Sequence, residues 1–155
     1  MIGMNMQLRQ PQTGAYLLEA LIGILIFSFG ILGIVGLQAQ AIRVTNDAEL
    51  RAEAIYLANA LISQMWIDNP TPAHLKATYD STAAGSGYVN FANQVQTKLS
   101  GADVAAPIVK VNDPSLPAPP SNTSSVVQVQ VFWRVPGDPP AITHNYTTTG
   151  VIGTN

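Results

Sequence analysis

One carboxylate stands where the chain offers it no obvious partner. From Ala15 to Leu37 the sequence reads AYLLEALIGILIFSFGILGIVGL, and Glu19 is its only charge, with Ser28 its other clearly polar side chain. A carboxylate inside an apolar helix costs on the order of 2.5–3.5 kcal/mol at membrane depth, and less near a helix end. Such a residue is kept where a cation can reach it. Gly14 lies just before the segment, five residues ahead of Glu19. Elsewhere the chemistry is thin. His74 and His144 have no metal-ligand spacing to Asp or Glu. The chain has no cysteine, which removes disulfides, thiol catalysis and cysteine-based zinc sites. It carries no P-loop, no G-x-G-x-x-G and no G-x-S-x-G. No residue is assigned to catalysis, to a cofactor or to a metal, and the chain reads as non-enzymatic. Asn122-Thr123-Ser124 and Asn145-Tyr146-Thr147 fit the glycosylation spacing, a weak signal in any chain.

The elements that must position Glu19 begin with the apolar segment itself. About twenty-three residues at ~1.5 Å rise span roughly 35 Å, enough for a ~30 Å hydrocarbon core. A buried helix of a soluble protein is the competing reading, but such helices rarely run so long without polar interruption. Before the segment stands MIGMNMQLRQPQTG, with Arg9 and no acid; after it Arg43 and Arg51 are set against Asp47, Glu49 and Glu53. That asymmetry places the N-terminus in the cytoplasm and the body outside. A secretory signal is the rival: Ala39-Gln40-Ala41 has the composition of its cleavage site, but the apolar stretch is long for one. Gly23, Gly30, Gly33 and Gly36 interrupt the helix. They suit close packing or local unwinding among helices, and they are also simply common in membrane helices.

Helical character continues beyond the segment. Ala39 to Ile67 holds no Pro or Gly, and Leu50, Ala54, Leu57, Leu61 and Met65 recur three and four apart. This is one stripe of an amphipathic helix, widened by Ile55, Ala58 and Ile62. Asp47 and Arg51 stand four apart in the favourable order on the polar side. Asp68-Asn69-Pro70 ends the helix, so one helix is expected from about Tyr16 to Trp66. Thr71 to Gly87 reads as a loop and Tyr88 to Leu99 as a short helix. Ile108 to Val111 is a candidate strand, and Asn112 to Ser125, with four prolines, a loop. Val126 to Val135 alternates clearly, Val127, Val129 and Val131 against Gln128 and Gln130. After the turn Pro136 to Pro140, Ala141 to Thr149 is the third strand. A small antiparallel sheet on the second half of the helix makes an α+β fold, with Leu57, Leu61, Trp66 and Trp133 expected in its core.

Composition agrees with a membrane chain. Of 155 residues 10% are charged, against ~25% in an average soluble protein. The net charge is −2 and the basic residues form no run, which argues against nucleic acid as a partner.

Gly14 followed by Ala15-Tyr16-Leu17-Leu18-Glu19, a glycine and then an apolar stretch with a carboxylate at its fifth position, resembles the type IV prepilin pattern. The segment Leu17 to Gln38, above all Phe27-Ser28-Phe29-Gly30-Ile31-Leu32-Gly33 and Gly36-Leu37-Gln38, resembles the PilV-type minor pilins, the type IV pilus modification proteins. The likeness covers about Gly14 to Gln40. It implies the type IV pilin fold: a leader over 1–14, a long helix over 15–68 (transmembrane about 15–37, amphipathic 38–68) and a small globular body over 69–155. It implies cleavage between Gly14 and Ala15 by a prepilin peptidase and N-methylation of Ala15, where the family usually has Phe. It also implies a subunit-assembly role for Glu19, facing the N-terminal amine of a neighbouring subunit. At ~4 Å and an effective dielectric near 20 that attraction is about 4 kcal/mol before desolvation. Implied partners are other pilins and minor pilins, the inner-membrane assembly machinery and lipid. The implied location is the bacterial inner membrane and then the pilus, in twitching, adhesion or DNA uptake. Type II secretion pseudopilins share the same signature. An anchored periplasmic binding module is the alternative from a different class.

Overall fold

The computed structural model describes residues 13–99 and 105–153. Most of the expected leader, residues 1–12, lies outside the described residues. The order is α1 (Thr13–Ile67), α2 (Pro72–Tyr79), α3 (Ser86–Lys98), β1 (Ile108–Val111), β2 (Ser124–Trp133) and β3 (His144–Gly153). The strands form one antiparallel sheet in the order β1-β2-β3. The fold is therefore α+β, a long N-terminal helix and a small three-stranded antiparallel sheet. The chain divides into two compact units, one ending at Ile42 and one beginning at Arg43.

The second unit holds the core. From α1 it buries Ala54, Leu57, Ala58, Leu61 and Met65, the stripe that the three-and-four spacing defines. Val127, Val129, Val131 and Trp133 are the inward residues of β2, as a period of two requires. They register with Val109 and Val111 of β1 on one side and with residues of β3 on the other. Phe91 and Val95 of α3, Leu75 and Tyr79 of α2, and Ile152 of β3 complete the cluster. Trp66 departs from expectation: it is half exposed. The helix turns ~100° per residue, and with Met65 fully buried the next position is carried off the core face.

The segment expected as a loop between Thr71 and Gly87 contains α2. Pro72 sits in its first turn, where the missing N–H costs nothing and the fixed φ favours helix. Its apolar anchors are only Leu75 and Tyr79, one turn apart, too few to announce a helix by periodicity. α3 then packs closely against α2. A side chain at Gly87 would overlap the Tyr79 ring, and one at Gly85 would overlap the carbonyls of Ala77 and Thr78. β2 starts earlier than expected, at Ser124, and β3 runs later, from His144 to Gly153. Pro139 and Pro140 delay β3, because the chain is still turning at Ile142, whose N–H bonds the Pro139 carbonyl at 2.9 Å.

The β1 edge is sealed by the end of α2. Ser81 N and Oγ both donate to the Val109 carbonyl at 2.9 Å, Lys76 Nζ donates to the Val111 carbonyl at 3.1 Å, and Val111 N donates to Asp80 Oδ2 at 3.1 Å. Side chains here do what a further strand would do and block edge-to-edge pairing.

Candidate functional site

Gly14, Ala15 and Glu19 all lie in α1. The Gly14–Ala15 bond falls in the first turn, where helix N–H groups have no intrahelical acceptor. Ala15 and Glu19 are four apart, hence on one face, and both are exposed. Glu19 makes no hydrogen bond or ion pair among the described residues. Ala15 and Glu19 thus stand one helical turn apart within α1, and neither is engaged by the rest of the described chain.

The segment that carries them is exposed along its length. Leu17, Phe27, Leu32 and Leu37 are each at least 69% exposed. Ser28 turns its hydroxyl back onto the Ile24 carbonyl at 2.7 Å, which removes its one polar group from the apolar surface. Side chains built at Gly14, Gly23, Gly30, Gly33 and Gly36 would meet nothing within 4 Å, so no contact in the described chain requires glycine there. α1 is long and apolar enough to cross a membrane. Beyond its first turn its backbone groups are paired inside the helix, the form a bilayer core accepts.

The second unit carries a polar cluster. Arg43 of α1 reaches Asp138 Oδ1 at 3.0 Å and the Gly137 carbonyl at 3.1 Å. The other oxygen of Asp138 holds His144 Nε2 at 2.8 Å. His144 Nδ1 lies 3.7 Å from Asp47 Oδ1, and its ring stacks on Trp133, with centroids 5.8 Å apart and planes at 19°. The His144 hydrogen bond, against a partial burial penalty, and then the Arg43 guanidinium hold Asp138 below the usual carboxylate range. His144, isolated in sequence, is therefore fixed between two carboxylates. The expected Asp47–Arg51 pair does not form: Asp47 turns to His144, and Arg51 has no ion pair among the described residues. No group of three His, Asp or Glu able to hold a metal occurs among the described residues.

A second cluster joins the end of α1 to α2. Asp68 Oδ2 accepts from Tyr79 Oη at 2.9 Å and pairs with His74 Nε2 at 3.0 Å. The His74 bond, the Asn69 backbone and Tyr79 together lower Asp68 to about 2. Burial and the Asp68 carboxylate push Tyr79 up to about 12. Behind it Asp80 is buried and lowered. Burial alone would raise it, but hydrogen bonds from Thr82 and from the Val111 N–H outweigh that. None of these groups was legible as a site in sequence, because each depends on partners brought together only by the turn between α1 and α2 and by the sheet edge.

Comparison with protein-family models, with curated proteins and with solved structures gave no match.

Proposed function

We propose that the chain is a minor pilin of the PilV type, a structural and assembly component of a type IV pilus. The observation that carries this reading is the unpartnered Glu19 one turn from Ala15, on an apolar helix exposed along its length. A lone carboxylate in that setting is costly, and a cation from a second subunit offsets the cost. The glycines support the same reading. They meet nothing within the described chain, which leaves their surfaces open to close approach by other helices.

On this reading prepilin peptidase cuts between Gly14 and Ala15 and the new amine is methylated. The apolar half of α1 anchors the chain in the inner membrane with its N-terminus cytoplasmic. The body waits in the periplasm until the helix moves from lipid into the filament core. There Glu19 meets the N-terminal amine of a neighbour and sets the register. The test is Glu19→Ala in the producing cell, with the chain quantified in sheared filaments and in membranes. The reading expects normal membrane levels and loss from filaments. Wild-type amounts of the variant in filaments contradict it.

A further inference from the structure

The β3 edge of the sheet is open. β2 and β3 pair in unbroken register from Ser124↔Gly153 to Trp133↔His144, with no bulge to bend the edge away. Val109 and Val111 of β1 turn their backbone groups away from β2, toward Ser81, Lys76 and Asp80. In an antiparallel sheet this direction alternates residue by residue. Their partners Val129 and Val127 therefore face β3, where they meet Thr148 and Gly150. That leaves the N–H and C=O groups of Asn145, Thr147, Thr149 and Val151 pointing out of the sheet. All four residues are exposed, and no hydrogen bond from another element reaches those groups among the described residues. Open edges are commonly blocked by charge, proline or a bulge. Asn145 to Gly153 holds no charge and no proline, so β3 has none of these devices.

The chemistry of the edge defines its occupant. A row of free N–H and C=O groups at strand spacing is satisfied by another extended backbone. The strand that β3 already holds shows which side chains suit it. Val127, Val129 and Val131 of β2 lie opposite Gly150, Thr148 and Tyr146 on the core face, and Gln128 and Gln130 lie opposite Thr149 and Thr147 on the outer face. The free edge presents the same two rows. On the core face Gly150 offers no side chain, and Ile62 stands 3.8 Å from where one would begin. A matching segment therefore alternates apolar with uncharged polar residues.

A second copy of the chain fits poorly. Asp47 lies beside His144, and Ile62 lies beside Gly150. Between these points the strand rises ~20 Å and the helix ~22 Å, so β3 runs along the second half of α1 in the same direction. Two β3 edges paired antiparallel would set those halves of α1 in opposite directions. Two copies anchored by α1 in one membrane do not adopt that arrangement.

We propose that the β3 edge docks an extended segment of a different polypeptide chain, uncharged and alternating in apolar and polar residues, which adds a fourth strand to the sheet. The site goes beyond the assembly role of the N-terminal helix and is tested without it; only the case against a second copy rests on membrane anchoring.

The probe is a capped peptide with the sequence of β2 from Ser124 to Gln130, titrated into the full chain in detergent micelles. Backbone amides are followed by NMR and by hydrogen exchange. The amides of Asn145, Thr147, Thr149 and Val151 are expected to shift saturably. Those of Thr147 and Thr149 exchange roughly tenfold more slowly at ~90% occupancy, because exchange then proceeds from the free fraction. The amides of Tyr146, Thr148 and Gly150, already laddered to β2, keep their rates. The same peptide N-methylated at Val127 and Gln128, which blocks both of its edges, gives no response. Thr149→Pro removes an outward N–H and no bond to β2, and weakens the peptide roughly tenfold with the Gly150 amide still protected. Thr147→Lys leaves the backbone intact, puts a charge on the edge and weakens the peptide as well. The proposal is overturned if the outward amides show no saturable change, if the N-methylated peptide acts equally, or if the response falls on half-exposed Trp66 instead of β3. It is equally overturned if the outward amides of the free chain are already protected and differently labelled copies touch there, which makes the occupant a second copy.

Discussion

Replacing Asp80 by Ala should unseal the β1 edge of the sheet. Asp80 is 3% exposed. Its Oδ2 accepts from the Val111 N–H at 3.1 Å, and its Oδ1 accepts from Thr82 N at 2.9 Å and Thr82 Oγ1 at 2.5 Å. Val111 is fully buried, so in Asp80→Ala its N–H loses its acceptor with no water to replace it, at ~1–3 kcal/mol. The two Thr82 bonds are nearer solvent and add roughly 0.5–1.5 kcal/mol each at most. Lys76, half exposed and 3.6 Å away, adds little. The sum is about 3 kcal/mol, or roughly 10 °C in the melting midpoint of the body. Thermal unfolding of the detergent-solubilised chain by near-ultraviolet circular dichroism measures the midpoint, and hydrogen exchange at the Val111 amide reports the edge directly. The pH dependence has a fixed sign. The folded value of Asp80 is below the ordinary carboxylate value, so its stabilisation is complete above about pH 5 and is lost as pH falls through the folded value. Asp80→Asn, which does not titrate, should show a shallower acid slope. An Asp80→Ala midpoint equal to wild type, with the Val111 amide still protected, would refute this account of the edge.

The core assignment predicts a contrast on α1: Leu61→Ala, at a 3% exposed position, should cost ~2–5 kcal/mol in urea unfolding, whereas Trp66→Ala, at a half-exposed one, should cost well under half of that. The α1–α2 junction predicts that Tyr79 ionises at about 12 in an absorbance titration, and that the transition there disappears in Tyr79→Phe. Asp68→Asn should bring it down part of the way, because burial, the larger cause, remains.

How much of this was readable in advance depended on how local the information was. The second half of α1 was legible because Ala54, Leu57, Ala58, Leu61 and Met65 repeat with the helical period, and β2 because its valines alternate against glutamines. α2 was not, since Leu75 and Tyr79 alone carry its buried face. Trp66 misled because its size suggested burial while its phase on the helix did not. The Arg43–Asp138 pair joins residues 95 positions apart, and a helix rule based on spacing assigned Asp47 to Arg51 when a histidine from β3 was the nearer partner. The proposed N-terminal boundary rests on a pattern of types: a glycine, an apolar run and one acid. What the structure adds there is exposure and the lack of any intrachain partner for Glu19.

The central claim is most directly tested by the mass of the mature N-terminus. The chain would be recovered from membranes of cells containing a prepilin peptidase and digested for terminal-peptide mass spectrometry. A terminus at Ala15, carrying one methyl group, is the predicted result. A terminus at Gln40 or Ala41, or an uncut chain beginning at Met1, would contradict it.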